Sequence, residues 1–245
     1  ALDANTTASN NTALGHQAGS GTTTGGNNTF VGKDSGLANT TGSDNFFGGY
    51  RAGGSTTSGY RNIAIGSNAF YYNTTGFANT VSGWYAMHNA TTGINNTSNG
   101  YRALYNNTTG SSNTALGYDS LFDNTEGVSN TAVGYRAIGN NTTGYTNTAI
   151  GYQVLFGNTT GTHNTVSGAY AGASITTGSN NLVLGYFADA SSATVSNEIT
   201  LGSANITRFR IPGAGIDNTS AALSGTTPSV DTGDRDTYTL TTSGN

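Results

Sequence analysis

The chain of 245 residues contains no cysteine and only two prolines, and charged residues make up 8% of it, against about 25% in a typical soluble domain. The absence of cysteine excludes disulfides and thiolate metal sites. A net charge of −4 without any basic block argues against a nucleic-acid partner. No apolar run approaches the roughly eighteen residues of a membrane-spanning helix, so membrane insertion is not expected. The sequence shows neither a signal peptide nor an initiator methionine, which we interpret as a processed or excised chain.

Glycine, in contrast, is abundant, with 37 residues, and much of it is periodic. Position 0 of the period is the glycine that closes the motif N-T-A-φ-G, where φ is usually a large apolar residue. Its neighbours are numbered −1 and +1 outward. This glycine recurs every seventeen residues without an insertion, and such a period defines the fold. The twelve position-0 glycines are Gly15, Gly32, Gly49, Gly66, Gly83, Gly100, Gly117, Gly134, Gly151, Gly168, Gly185 and Gly202.

A period of seventeen residues is too short for a helix pair, and a propeller blade needs about 40. It suits one coil of a solenoid, so we predict an all-β fold: a parallel β-solenoid, or β-roll, of twelve 17-residue coils. Each coil is expected to contain two strands of about five residues, N-T-A-φ-G-Y and A-L-F/Y, with tight turns at N-T-T-G. Coils stacked in a parallel sheet rise about 4.8 Å each, which gives a rod of roughly 55–60 Å.

The repeat divides the chain into two predicted segments. Residues 1–202 form the solenoid shaft or head, and residues 203–245, which hold both prolines and the acidic stretch DTGDRD, form a short C-terminal cap or neck. Solenoid ends need such caps because an open end is an unpaired edge. The chain opens in the middle of a coil at Ala1, so we expect either further repeats upstream or a different partner for the first coil.

Both faces of the motif strand avoid charge. Position −1 is usually large and apolar, as in Leu14 and Ile65, and position −2 is small or apolar, as in Ala64 and Phe47. A strand with this pattern is buried on both faces. One face fills the coil, and we predict that the other packs on an identical chain about a symmetry axis.

The motif N-T-A-I-G-Y-x-A-L with its N-T-T-G turns resembles the head repeats of trimeric autotransporter adhesins and the β-roll shafts of bacteriophage tail fibres. The stretch ITLGSANITRFRIPGAGI, residues 199–216, is similar to the segment that closes such repeats in phage tail fibres. The resemblance covers roughly residues 1–216. It implies a left-handed homotrimeric roll, extracellular or on the virion surface, that attaches to a glycan or protein receptor on a cell. The closing segment favours the tail fibre over the bacterial adhesin.

Two other non-enzymatic functions stay open. The chain is also compatible with a structural subunit of a self-assembling extracellular filament, joined end to end through Ala1 and the tail near Tyr238. Ice binding is the second, because threonine recurs at position −3. No nucleophile–base pair, phosphate loop or paired carboxylates stand out, so neither an enzyme nor a cofactor is expected. The threonines are Thr12, Thr29, Thr80, Thr97, Thr114, Thr131, Thr148 and Thr165, interrupted by Phe46, Ile63 and Leu182.

An aromatic column occupies position +1, and it has two interpretations. Flat rings with a polar tip suit carbohydrate stacking, so the column is a candidate glycan-stacking strip. Alternatively, the rings stack on each other and stiffen the rod. The column consists of Tyr50, Trp84, Tyr101, Tyr118, Tyr135, Tyr152 and Tyr186.

Position +2 carries charges of alternating sign, which we predict to pair at the surface between neighbouring coils. These are Asp34 with Arg51, and Asp119 with Arg102 and Arg136.

A few polar residues are candidate ligand sites. Asn99 replaces the large residue at −1, which predicts an axial polar layer if that position faces a symmetry axis. The histidines, His16, His88 and His163, occupy unrelated repeat positions, so no metal site is predicted. The acidic group DTGDRD lacks the spacing of a calcium loop and is interpreted as a solvated turn.

Overall fold

A computed structural model describes residues 1–207, and in that part of the chain it contains twelve short strands and no helix. Accordingly, no helix there could cross a membrane. Most of the predicted cap, residues 208–245, lies outside the described residues. The strands are β1 (Thr12–Leu14), β2 (Thr29–Val31), β3 (Phe46–Gly48), β4 (Ile63–Ile65), β5 (Thr80–Ser82), β6 (Thr97–Asn99), β7 (Thr114–Leu116), β8 (Thr131–Val133), β9 (Thr148–Ile150), β10 (Thr165–Ser167), β11 (Leu182–Leu184) and β12 (Ile199–Leu201).

The twelve strands form one parallel sheet in sequence order, so the chain is a β-solenoid and the predicted fold class is confirmed. Each residue pairs with its equivalent one repeat later, as Thr12 does with Thr29 and Val166 with Val183. One winding therefore takes seventeen residues, and coil n is the winding that contains strand βn. An uninterrupted period is what such stacking requires, because an insertion would shift every later pair.

The prediction of two five-residue strands per coil was wrong. Each coil has a single three-residue strand, and the A-L-F/Y segment after it is a series of turns. Residues at +2 and +4 have positive φ there, for example 50° at Arg102 and 53° at Leu104. Their amides still bond to neighbouring coils: the Arg102 N–H donates to the Trp84 carbonyl at 3.0 Å, and the Leu104 N–H donates to the Ser120 carbonyl at 2.9 Å. Hydrogen bonding between coils thus continues beyond the strands.

Position 0 requires glycine for two reasons. First, φ lies between 124° and 148° from Gly15 to Gly185, a region that L-residues avoid. Second, the coils approach closely there. A Cβ on Gly49 would lie 2.6 Å from the carbonyl oxygen of Gly66. The unbroken glycine column therefore follows from backbone-to-backbone packing between windings.

Asparagine at position −4 connects each coil to the next and closes its own coil. Asn45 donates through Nδ2 to the carbonyl of Gly59 in the same coil at 2.9 Å, and its Oδ1 accepts from the N–H of Asn62 in the next coil at 3.0 Å. The column from Asn28 to Asn181 is buried. Asparagine suits this position because its amide supplies both a donor and an acceptor.

Two further polar ladders fill the turn side of the coil. Asn124 and Asn141 at position +7 are joined at 2.7 Å through Nδ2 and Oδ1. At position +8 the threonine hydroxyls donate to the carbonyl of the equivalent residue in the next coil, as Thr108 does to Thr125 at 3.0 Å. Because most of these polar groups bond to each other, a chain with only 34% hydrophobic residues can form a stable interior.

Side chains at positions −2 and +4 together fill the apolar interior. In coils 2 and 3 the strand supplies Phe30 and Phe47, and +4 is glycine. In coils 7 to 9 the strand supplies alanine, and +4 is Leu121, Ile138 or Leu155. A Cβ on Gly36 or Gly53 would collide with the phenylalanine ring of its own coil. The two columns therefore fill the same volume from opposite sides.

Coil 12 departs from the repeat. Glu198 stands where asparagine is expected, and its backbone N–H still donates to Asn181 Oδ1 at 3.0 Å. Its carboxylate accepts from the Ser191 N–H at 2.9 Å and from the Thr200 hydroxyl at 2.8 Å. A hydrogen bond from the Ser191 hydroxyl, together with those from the Thr200 hydroxyl and the Ser191 N–H, holds the pKa of Glu198 below its usual value. The last described coil thus replaces the asparagine bridge with a local carboxylate network.

Candidate functional site

The outward face of the sheet is its most conspicuous surface. Side chains at −3, −1 and +1 point away from the interior, and positions −3 and −1 carry no charged residue in any of the twelve coils. Leu14 is 68% exposed, Ile65 47% and Ile150 49%. Exposed apolar surface arranged along one face is characteristic of interaction sites.

A polar segment interrupts this apolar surface near its middle. Position −1 is Ser82 in coil 5 and Asn99 in coil 6, and position −3 is Thr80 and Thr97. Asn99 faces outward and is exposed. The structure therefore places this predicted polar residue on the sheet face, between two apolar stretches.

The aromatic column at +1 is largely self-stacked. Tyr101, Tyr118, Tyr135 and Tyr152 follow each other with ring centroids 4.8 to 5.2 Å apart and interplanar angles of 8° to 18°. Their faces contact each other, so solvent reaches mainly their edges and hydroxyl groups. Of the two interpretations of these four rings, this geometry matches the ladder.

The remaining members of the column lie outside that stack. Trp84 meets Tyr101 edge to face at 5.7 Å and is 55% exposed. Tyr186 meets Phe187 edge to face at 4.5 Å. Tyr50 lies under Lys33 Nζ and the Arg51 guanidinium, at 5.8 and 5.1 Å from its ring centroid. The predicted strip is therefore not one uniform surface.

A second aromatic ladder at position +5 was not predicted. It consists of Tyr71, His88, Tyr105 and Phe122, with centroid spacings of 5.2 to 5.5 Å. His88 Nδ1 lies 2.9 Å from the Asn68 carbonyl. Burial among these rings lowers the pKa of His88, partly offset by that hydrogen bond. The sequence signal was the recurrence of aromatic residues at the same repeat position in four successive coils.

The predicted ion pairs at +2 form, but their aspartates are buried rather than at the surface. Arg102 donates to both carboxylate oxygens of Asp119, at 2.9 Å from Nε and 2.7 Å from Nη2, which raises the pKa of Arg102. Arg136 lies 3.9 Å from the same carboxylate. Asp34 is paired more loosely, 3.6 Å from Arg51 Nε, and its Oδ1 is buried without a hydrogen-bond partner.

A groove of about 370 Å³ lies beside the sheet face at coils 10 to 12. One wall comes from position −5, where His163, Asn180 and Asn197 stand. The other wall comes from position −3, where Leu182 and Ile199 replace the usual threonine. Sequence reasoning missed this groove, although the signal was present as a simultaneous departure of two columns from the repeat.

The histidines lie apart, at +1, +5 and −5 of different coils. Within residues 1–207 no group of three potential metal-ligating side chains comes together. Comparisons with family models, with curated proteins and with solved structures give no match to this chain. Inference about function therefore depends on the surfaces described above.

Proposed function

We propose that this chain is a rigid, non-enzymatic segment of an extracellular attachment fibre of the bacteriophage tail-fibre type. In this proposal it assembles as a homotrimer through the outward sheet face of coils 1 to 9, and the face of coils 10 to 12 stays open for attachment to a receptor on a cell surface. A bacterial adhesin head is the alternative within the same class. The observation that carries the proposal is a long sheet face that is uncharged at −3 and −1, apolar over much of its length, and exposed in a single chain.

The dimensions of that face support assembly. Nine coils rising about 4.8 Å give a length of roughly 43 Å, and positions −3 to +1 span about 13 Å along each strand. The face therefore offers roughly 560 Å² per chain, the same order as the ~800 Å² that each partner contributes to a stable protein interface. An identical chain has the same pitch, so its side chains match over all nine coils.

Self-association is tested by multi-angle light scattering on the full chain. Three chains per particle are expected for the wild type. Ile65→Asp combined with Ile150→Asp places carboxylates on the face, and the expected result is a shift to smaller particles. Thr143→Glu is the control, because the equivalent position in coil 7 is already Glu126. A monomeric wild-type chain that is fully folded would refute the trimer.

Attachment is tested separately by incubating the fluorescently labelled chain with a panel of bacterial strains. The expected result is saturable binding to particular strains, abolished by an excess of unlabelled chain. Binding that never saturates, or is equal on every strain, would contradict receptor recognition and leave the assembly result unaffected.

One observation favours ice binding as a second candidate. The threonines at −3 lie on the outward sheet face, in a regular array. The array is interrupted by Phe46, Ile63 and Leu182. This candidate is tested by measuring the thermal hysteresis of the chain. Thr131→Tyr, which disrupts the threonine face, should reduce it, and zero hysteresis in the wild type would exclude ice binding. The filament alternative depends on the tail near Tyr238, which lies outside the described residues.

A further inference from the structure

The groove at coils 10 to 12 differs chemically from the same columns elsewhere in the rod. In coils 7 to 9, position −5 is Ser112, Ser129 or Thr146 and position −3 is threonine, so both walls carry hydroxyl groups. In coils 10 to 12, one wall becomes an imidazole and two amides, and two of the three threonines of the other wall become Leu182 and Ile199. Ile199 is 70% exposed.

The amide wall presents unused hydrogen-bonding groups. Asn180 Nδ2 donates to Asn197 Oδ1 at 2.8 Å. Within residues 1–207, this pairing leaves the Oδ1 of Asn180 as an acceptor and the Nδ2 of Asn197 as a donor, with no other partner for either side chain. The His163 ring is held by the Thr162 hydroxyl, 3.0 Å from Nδ1, and by the edge of Tyr145 at 5.2 Å. An acceptor, a donor and an oriented imidazole thus face the groove together.

From this arrangement we propose that the groove binds a neutral saccharide that carries an acetamido group. The Asn197 amide donates to the acetamido carbonyl, and the acetamido N–H donates to Asn180 Oδ1. The acetamido methyl packs on Leu182 and Ile199, and the His163 imidazole bonds a sugar hydroxyl. Among residues 1–207 the lining contains no Asp, Glu, Lys or Arg, which favours a neutral ligand over an acidic one. This inference rests on the proposed attachment function and assigns its receptor a chemical class.

The groove also fits this ligand in size and mixed polarity. Its volume of about 370 Å³ lies in the range of small-ligand sites, which combine apolar walls with a few placed polar groups. The stacked tyrosines at +1 offer no comparable surface, because their faces contact each other. A saccharide site at the groove therefore differs in place and in chemistry from the predicted aromatic strip.

Two substitutions each change one wall of the groove. Each introduces a residue that the repeat has at the same position in other coils. Leu182→Thr restores the common residue of position −3, and Asn180→Ser introduces the residue found at Ser112 and Ser129. Both variants are expected to fold as the wild type. Asn27→Ser is the matched control, since Asn10 and Asn27 form the same amide pair, at 3.1 Å, beside Thr12 and Thr29.

Binding is measured by titrating the full chain with the tetramer of N-acetylglucosamine and following NMR shifts or heat. The expected result is saturable binding to wild type and to Asn27→Ser, at least about tenfold weaker for each groove variant, a loss of about 1.4 kcal/mol or more. Cellotetraose, which lacks acetamido groups, is expected not to bind. Equal affinity for cellotetraose, equal affinity of the groove variants, or no binding of the tetramer overturns the proposal.

Cell binding separates failure of this inference from failure of the attachment role. If wild type and the Leu182→Thr and Asn180→Ser variants bind cells equally well, the groove is not the receptor site, but attachment stands. If the wild type binds no cells, attachment itself fails. If cells bind only the chains with an intact groove, both proposals are supported.

Discussion

Coils 2 and 3 and coils 7 to 9 enclose the same interior but fill it differently. In the first region a phenylalanine from the strand reaches across to a glycine, as Phe47 does to Gly53. In the second, the strand supplies an alanine such as Ala115, and the turn supplies a buried leucine or isoleucine such as Leu121. The backbone winding is alike in both regions. The difference shows that the period fixes the interior volume, while the column that fills it is interchangeable.

The largest change in stability is expected when the phenylalanine of the first region is removed and the leucine of the second region is then added in its place. Phe47→Ala leaves a cavity and is expected to cost about 3–5 kcal/mol of unfolding free energy. Adding Gly53→Leu places a leucine at position +4, where Leu121 of coil 7 already adopts positive φ. The new side chain can fill the cavity, so most of the lost stability should be recovered. Urea unfolding of the two variants and the wild type measures this. A double variant no more stable than Phe47→Ala alone would show that the two arrangements are not interchangeable.

The asparagine ladder, unlike the apolar interior, recurs in both regions. Asn45→Asp and Asn147→Asp each remove the donor to a buried glycine carbonyl, of Gly59 and Gly161 respectively, and to the Oδ1 of the preceding asparagine. Each is expected to cost about 1–3 kcal/mol, and the two costs should be equal.

Urea unfolding measures these costs against Asn10→Asp, an exposed control whose column already contains Asp44. The control should leave stability unchanged. Clearly unequal costs at Asn45 and Asn147 would mean that the ladder also differs between the regions.

The ion pairs also differ between the same two regions, and the expected difference in stability is smaller. Asp119→Asn removes the charge from the bidentate pair with Arg102 and is expected to cost about 1 kcal/mol. Asp34→Asn removes a buried charge whose Oδ1 has no partner, so stability should stay the same or rise. Thermal or urea unfolding at neutral pH measures both. A greater loss at Asp34 than at Asp119 would contradict the geometry.

The smallest effect is a pH dependence in coil 5, between the two regions. Burial lowers the pKa of His88 below 6.5, so the unfolded chain binds a proton more readily than the folded one. The free energy of unfolding should therefore fall as pH drops below about 6.5. His88→Tyr, which continues the ladder of Tyr71 and Tyr105, should have a shallower pH dependence. An unchanged slope in stability between about pH 7.5 and 5.5 would exclude His88 as the cause.

The fold could be predicted from the sequence because one number, the spacing of Gly15, Gly32 and their successors, gives the length of a winding. The path of the chain within a winding could not. Positive φ at Arg102 and Leu104 is unfavourable for such residues in isolation, and hydrogen bonds between coils maintain it. A pattern of residue types does not reveal bonds that exist only after stacking.

The surfaces were predictable to different degrees. Stacking of Tyr101 on Tyr118 follows from one ring per coil at the spacing of a sheet. Burial of Asp119 does not follow, because it depends on how the turn at +2 bends inward. The groove does not follow from the repeat itself, because Leu182 and Asn180, which line it, are exceptions to the repeat.

The close contact between successive position-0 glycines has a consequence for how such genes change length. A substitution at that contact affects two windings at once, and a one-residue insertion there shifts every later pair, so we expect both to be selected against. An in-frame duplication or loss of a whole repeat recreates the identical contact and leaves every other winding intact. Relatives of this chain should therefore differ in the number of windings, in whole steps, far more readily than in their size.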